Sequence, residues 1–492
     1  MVCDWYSIHT SIGVGMKKFI FCLLILFLFV VNVQATTYYL ATAADGGSDV
    51  NNGLTEGAPW LTPNHAVNCG DVIIAKASTS YDAANFASGD WGTVTCAAGN
   101  NVAWLKCETF GGCKISANNV FAMWLSKSYW GVQGWITTGT GNGGVCYGVT
   151  PVGGSTIHHI IFANNICEGG ANGFNTSSQS TTAGVDYIAI VGNIAWNASL
   201  STAYCNSGIT IYEPVKSDSV PGTHIYIAGN YTFDTVSQAN CSSGSATYDG
   251  NGIALDDLGW GQGGGTPYDQ QVVVEHNISV WNGGWGVATS GNGSTAAPIY
   301  IRYNTLYGNQ KATNTNFTTC GDLVVFGYPD GIKYTQATNN LVQTGLEHAC
   351  QGMIIDLYAA RVLGGDATDV VASNFLYSAW GQNTLATDST GFSFGSNTTG
   401  TDPQFTNPVD PGQPNCSGKT SVVDCMATVI ANYTPQNVSA RAYGYQPATS
   451  NRPKNAYFPQ WLCNVNLPAG LITTYCEDLN IIQGGAISGG SL

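Results

Sequence analysis

Seven times along this chain a β-rich run closes on an asparagine: "HHIIFANNI", "DYIAIVGNI", "THIYIAGNY", "QQVVVEHNI", "APIYIRYNT", "YTQATNNL" and "VVASNF". The markers are Asn165, Asn193, Asn230, Asn277, Asn304, Asn340 and Asn374. Five of these runs are followed, after a Gly- or Asn-rich turn, by a second short strand: "GITIYEP", "GIALDDL", "GVATSG", "DLVVFG" and "GMIIDLY". Short strands separated by tight turns and repeated along a chain are the pattern of a parallel β-helix solenoid. One coil cannot bury its apolar face alone, whereas stacked coils share a continuous core with rungs roughly 4.8 Å apart. A column of asparagines at one corner lets each side-chain amide bond its neighbours above and below. The uneven spacing of the markers places loops on several coils, where they wall a groove. Asn230 and Asn277 begin N-x-S/T sequons, but as ladder residues they point into a corner, so these sequons carry no argument for glycosylation.

Composition agrees with an all-β globular chain. Sixty-two glycines would permit disorder, but 44% of residues are hydrophobic and 11% aromatic, enough for a packed core. After residue 40 no long stretch has a 3.6-residue period, apart from a segment near Ala66. Met16-Lys17-Lys18, the apolar "FIFCLLILFLFVV" and "VQA" ending at Ala35 read as a signal peptide over residues 1–35, its true start at Met16. The apolar run is short for a membrane span, so no stable span is expected after cleavage. The expected product is a secreted monomer starting at Thr36.

Of sixteen cysteines, Cys3 and Cys22 fall in the removed segment, and the rest are dispersed without CxxC pairs, which favours disulfides. Cys320 with Cys350, and Cys205 with Cys241, are candidate bridges between neighbouring coils. A net charge of −15 excludes a nucleic-acid partner, whose phosphates need a basic surface. An acidic polysaccharide is repelled as well, unless bound Ca²⁺ or a local basic strip reverses the field.

The segment "YYLATAADGGSDVNNGLTEGAPWLTPNHAVNCGDVIIAKASTSY", residues 38–81, resembles the opening of secreted right-handed parallel β-helix proteins of the pectate-lyase-like superfamily. That opening runs strand, G-x-D-x-N-x-G loop, P-[FW]-x-T stretch, short helix, GD-x-I and a final Tyr. Here its elements are Gly47, Asp49, Asn52, Gly53, Pro59, Trp60, Thr62, Ala66, Gly70, Asp71, Ile73 and Tyr81. The asparagine-marked coils and "TDPQF" (Thr401–Phe405) extend the likeness. The cap is most similar to that of the family-nine pectate lyases. The resemblance implies a right-handed parallel β-helix over 36–400. Residues 401–492 change character, being rich in Pro and Asn, and are expected to form a C-terminal cap stapled by two local disulfides among Cys416, Cys425, Cys463 and Cys476. The superfamily includes lyases, hydrolases, epimerases and non-catalytic surface proteins, so the fold does not choose the activity.

Aligning the second strands places Tyr212, Asp256, Ser290, Phe326 and Asp356 in one column, and Glu213, Asp257, Gly291, Gly327 and Leu357 in the next. Glu213 and Asp257 then stand one rung apart, roughly 5 Å, and Asp249 enters from the preceding turn. Carboxylates that close repel, so one takes a proton or a cation sits between them. Asp249, Asp256, Asp257 and Glu213 are therefore the candidate Ca²⁺ ligands. Adjacent residues of a regular strand face opposite sides, so Asp256 and Asp257 share a site only if the chain turns there. The alternative is that both simply hydrogen-bond the turn "LGWG".

In the lyases this chain resembles, Ca²⁺ held by aspartates binds a uronate carboxylate, and a Lys or Arg removes the neighbouring proton. The resemblance thus implies Ca²⁺-assisted β-elimination on a uronic-acid polysaccharide. Basic residues are scarce, and the candidates within the coils are Lys216, Arg302, Lys333 and Arg361. Lys333 in "DGIKY" weakly resembles the lyases' lysine strand. Arg302 lies one coil above Glu275 and is equally suited to pairing with it. Lys333, Arg302 and Asp256 are the candidate catalytic residues. A glycoside hydrolase using Asp256, Asp257 and Glu213 as paired carboxylates is the first alternative, although the histidine-containing motifs of polygalacturonases are absent. The second is a non-catalytic glycan binder whose aromatic residues, Tyr212, Trp260, Trp285, Trp281 and Tyr358, stack on sugar rings.

Overall fold

The computed structural model describes residues 35–96, 101–141, 143–178, 182–199, 206–237, 250–258, 267–289, 298–311, 321–326, 335–344, 360–363, 370–379, 386–387, 393–446 and 457–465. From Ala103–Cys107 to Ala386–Thr387, each coil gives one strand to each of three parallel sheets. Ile157–Ala163 lies in sheet I, Ile166–Gly170 in sheet II and Asn172–Thr176 in sheet III; Val185–Val191 then begins the next rung of sheet I. Among the described residues, sheet I runs from Thr37–Leu40 to Ser393–Phe394, sheet II from Ser78–Asp82 to Thr398–Thr399, and sheet III from Met123–Leu125 to Ala386–Thr387. Register stacks like on like: Ile160, Ile188, Ile225, Val272 and Ile299 pair in succession, all fully buried. Each coil alone would expose this row; stacking removes it from water.

The asparagine markers sit at the corner between sheets I and II. Both the backbone N and the Nδ2 of Asn165 donate to Oδ1 of Asn193, while the same Nδ2 also donates to the Val132 carbonyl at 2.9 Å. The pattern repeats through Asn230, Asn277, Asn304, Asn340 and Asn374, and Asn397 adds a further rung. The residue before each marker, from Asn164 to Ser373, has positive φ, which turns the chain sharply and aims the asparagine inward. Asn230 and Asn277 are fully buried in these bonds, so neither sequon is presented to solvent.

The N-terminal motif has a physical basis. Asp49 accepts from the backbone of Leu61 and Thr62 and from the Thr62 hydroxyl, which closes the loop. Gly53 (φ 70°) lies so near the Trp60 ring that a Cβ would fall 2.4 Å from it. The short helix expected near Ala66 is not formed. Asn64 N bonds Thr62 Oγ1, Asn68 N bonds Asp71, and Val67–Asn68 pairs with Val94–Thr95 as a strand, so these side-chain and strand bonds displace a helical turn. Disulfides join Cys69–Cys96, Cys107–Cys113, Cys146–Cys167 and Cys416–Cys425. Cys205, Cys241, Cys320, Cys350 and Cys476 lie outside the described residues.

The described part of the C-terminal segment lies along the sides of the solenoid. Phe405, Val422, Met426, Tyr433 and Ala440 pack on the outer face of sheet II, against residues from Ile136 to Phe375. Phe458, Trp461, Leu462 and Val465 pack on the outer face of sheet I, against Ile161, Tyr187, Tyr226 and Val273. Hydrogen bonds fix both contacts: Trp281 Nε1 to the Tyr433 hydroxyl at 2.6 Å, and Trp461 Nε1 to the Thr223 carbonyl at 3.1 Å. None of the described residues of this segment joins the apolar clusters of sheet III.

Candidate active site on sheet III

Sheet III strands alternate. In Ile209–Tyr212, Ile209 and Ile211 are buried in the solenoid core, so Thr210 and Tyr212 face outward; in Ile253–Asp256, Ala254 and Asp256 do the same. Tyr212 pairs with Asp256, as the alignment expected. Just past each strand the backbone turns, with Glu213 at φ 47° and Asp257 at φ 50°, and Glu213 N donates to the Asp256 carbonyl at 3.1 Å. This turn is what the strand geometry demanded if both aspartates were to share a site. Asp256 and Asp257 do not alternate, because the left-handed corner between them redirects the chain.

The result is a cluster of one phenol and three carboxyl groups. Glu213 and Asp257 are buried, while Tyr212 and Asp256 are half-exposed. Burial pushes the Glu213 carboxyl up from its ordinary value; a hydrogen bond from Tyr212 opposes this, and the charges of Asp257 and Asp256 add to it. Burial and then the charges of Glu213, Asp257 and Asp256 push the Tyr212 phenol up as well. At neutral pH Tyr212 is thus a held hydrogen-bond donor inside an acidic corner. Among the described residues no three His, Cys, Asp or Glu side chains are grouped as a metal site. Asp249, the fourth ligand read from the sequence, lies outside the described residues.

The other sequence-derived residues divide clearly. Lys333 and Trp260 lie outside the described residues. Arg302 is in sheet I: its Nε and Nη2 reach Glu275 Oε2 at 2.8 and 2.7 Å, and its guanidinium lies 4.5 Å from the Tyr457 ring. It pairs with Glu275 across adjacent rungs and does not join Asp256. Lys216 is paired with Asp269 at 2.5 Å. Trp285 is buried against Ala288 and Val324, which face outward from sheet III. Trp281 is also buried and holds the C-terminal segment. His276 stacks on Tyr303 and its Nδ1 accepts from Gln446 N.

The far end of the alignment needs correction. Phe326 pairs with Leu363, not Asp356, because the next sheet III strand is Ala360–Leu363 rather than "GMIIDLY". Arg361 therefore takes the register position opposite Val324, in line with Ala288 and Ala254.

Two features escaped the sequence reading. Asp186 is a buried carboxylate that accepts from His224 Nδ1 at 2.9 Å, Tyr268 at 2.6 Å and Ser217 N and Oγ. A second amide ladder, at the corner between sheets II and III, links Asn282 to Asn309 and Asn309 to Asp322. Its signal was available: Asn282 and Asn309 each follow a first-ladder asparagine, Asn277 and Asn304, at the same interval.

No protein-family model matches the chain, and no curated protein matches it. Among solved structures, it is similar to pectate lyase Pel9A at 15% identity, covering 76% of this chain and 84% of that one, with a TM-score of 0.36. It is also similar to the GH136 lacto-N-biosidase from Eubacterium ramulus at 10% identity, covering 78% and 70%, TM-score 0.35. A third is the A-module of the Azotobacter vinelandii mannuronan C-5 epimerase AlgE4, at 10% identity, covering 67% and 88%, TM-score 0.25. The fold assignment rests instead on the three parallel sheets, the coil-by-coil register and the asparagine ladder. The chain is a parallel β-helix.

Proposed function

We propose that this protein is exported and acts on an acidic polysaccharide laid along the outer face of sheet III, by Ca²⁺-assisted β-elimination at the Tyr212–Glu213–Asp256–Asp257 cluster. One observation carries the reading: these four groups converge beside the sheet that the described C-terminal segment does not cover, while sheets I and II are packed over by it. Buried carboxylates that repel one another are a poor structural device and a good cation or proton site.

Calcium prefers carboxylate oxygens in an adaptable arrangement, and the three carboxyl groups of this corner are the donors it would find. Glu213, Asp256 and Asp257 would hold it, with Asp249 as a fourth ligand, and bound there it would neutralise a uronate carboxylate and acidify the adjacent C–H. Tyr212 donates to Glu213 and fixes its orientation. Lys333 lies in the connection from sheet III to sheet I, two coils beyond Asp257, and is the proposed base. It takes the proton from that carbon while the bond to the leaving glycosidic oxygen breaks and a C=C bond forms. Arg302 has no part in this step, since Glu275 occupies it.

Hydrolysis is the second reading, favoured by one observation. A Glu213 carboxyl pushed up beside two further carboxylates is the arrangement that keeps one acid protonated next to an ionised partner. The test is a panel of uronate polymers assayed for the ultraviolet absorbance of unsaturated uronate, with Ca²⁺ and then with chelator, and in parallel for new reducing ends. Chelator-sensitive absorbance supports elimination. Reducing ends without absorbance establish hydrolysis, and neither signal on any polymer removes the enzymatic reading.

A further inference from the structure

Four rungs from Asp256 along sheet III, a cleft opens that the carboxylate cluster does not use. Its inner wall is Trp124, which faces outward because its neighbours Met123 and Leu125 belong to the core. Phe121 stacks on Trp124 with ring centroids 4.7 Å apart and 28° between planes. Both rings are half-exposed, and Ala84, Ala117, Asn118 and Asn119 complete the cleft. Gly148 makes this arrangement possible: a Cβ there would fall 2.2 Å from the Phe121 ring, so only glycine lets that ring lie against the sheet.

The cleft and the cluster share one surface. Successive pairing aligns Trp124, Gly148, Asn175, Thr210 and Ala254 in a single outward row, and Asp256 is two residues beyond Ala254 on its strand. The side chains between the aromatic pair and the acids are small, so the row forms the floor of a shallow trough. Beside it the Thr150 and Ser177 hydroxyls meet at 2.9 Å. Four rungs make the trough about 20 Å long, the length of a chain of about five pyranose units.

We propose that Phe121 and Trp124 form a distal subsite for a neutral pyranose ring of the glycan whose acidic unit lies at the carboxylate cluster, an inference that rests on sheet III being the glycan face. A sugar ring's C–H face suits a stacked aromatic pair, and the exposed amides of Asn118 and Asn119 suit its hydroxyls. Charge selects the class. The one ionisable residue lining the cleft is Asp82, and no lysine or arginine lines it, so a uronate is disfavoured here and a neutral sugar is not. The substrate is then a mixed polymer, not a homopolymer of uronate.

The test is affinity electrophoresis of the full chain through gels containing rhamnogalacturonan, glucuronoxylan or polygalacturonate. Wild type is compared with Trp124→Ala, Trp124→Phe, Phe121→Ala and Asp257→Asn. The subsite predicts retardation of wild type by a mixed polymer, weakened about fivefold or more by Trp124→Ala and Phe121→Ala and restored in Trp124→Phe. The restored binding shows that the loss is not misfolding. Equal retardation of wild type and Trp124→Ala overturns the subsite and leaves the carboxylate reading standing. Retardation that depends on Trp124 without cleavage of any polymer keeps the subsite and removes the enzymatic reading. Failure of all three gels to retard wild type overturns both.

Discussion

Asp322 gives the sharpest stability prediction. It is fully buried at the end of the second amide ladder, where its Oδ1 accepts from Asn309 N at 2.8 Å and Asn309 Nδ2 at 2.7 Å. Its Oδ2 has no partner among the described residues, whereas the matching Nδ2 of Asn309 donates to the Ser279 carbonyl at 2.9 Å. Burial outweighs the two hydrogen bonds and pushes the carboxyl from 3.8 up to about 7. The folded state therefore holds a proton that the unfolded state has lost. Between these two values stability falls as pH rises, at 1.36 kcal/mol per pH unit, to a cost of about 4 kcal/mol above pH 7. Asp322→Asn removes the charge and supplies the missing donor. Relative to wild type it should be little changed near pH 4 and more stable by up to about 4 kcal/mol at pH 8. Guanidinium unfolding at both pH values measures this. A difference between the two proteins that is the same at pH 4 and pH 8, or a less stable variant at pH 8, refutes the reasoning.

Three further outcomes follow from the same bonds. Both ring nitrogens of buried His224 face acceptors, Asp186 Oδ1 and the Val220 carbonyl, an arrangement that favours the imidazolium. Burial alone would lower its pKa, but the Asp186 bond and charge raise it, while the same contacts outweigh burial to lower Asp186. Its contribution is full below 6.5 and lost as pH rises through the raised value; that of Asp186 is present above 3.8 and lost as pH falls through the lowered one. An NMR titration should place the His224 midpoint above 6.5, and a midpoint below it contradicts the pair. Asn277→Ala strips the acceptor from both Asn230 N and Asn230 Nδ2, and should cost about 3 kcal/mol or more in a denaturant series. Arg302→Ala leaves Glu275 buried without its cation and should destabilise by about 3–5 kcal/mol. Loss of turnover in Arg302→Ala without loss of stability would return Arg302 to the catalytic residues.

The ladder was legible because a buried amide column admits few residues but asparagine, and the Glu213–Asp257 register followed from aligning strands anchored by that column. The alignment failed at Asp356 because a β-like run in the sequence, "GMIIDLY", comes shortly before Ala360–Leu363, the strand that pairs with Leu323–Phe326. Local pattern cannot tell such a run from the rung itself. The course of the C-terminal segment was written elsewhere in the chain than where it was sought. "VDYIAIV" is buried at every position, so its outer face must be covered, and continuous apolar strands are the mark of a sheet packed on both sides. The pairing of Arg302 with Glu275 was readable from adjacent rungs. The acid at Asp322 was not, since its meaning depends on the two bonds that Asn309, thirteen residues earlier in the chain, donates to it.

The central claim is that sheet III is the glycan face. Hydrogen exchange with and without a saturating uronate-containing oligosaccharide, drawn from any polymer that the protein retains, tests it most directly. Protection is predicted in Asn172–Thr176, Ile209–Tyr212 and Ile253–Asp256, with residues 457–465 and the strands of sheet II unchanged. Protection confined to sheet I, sheet II or the C-terminal segment would contradict the account.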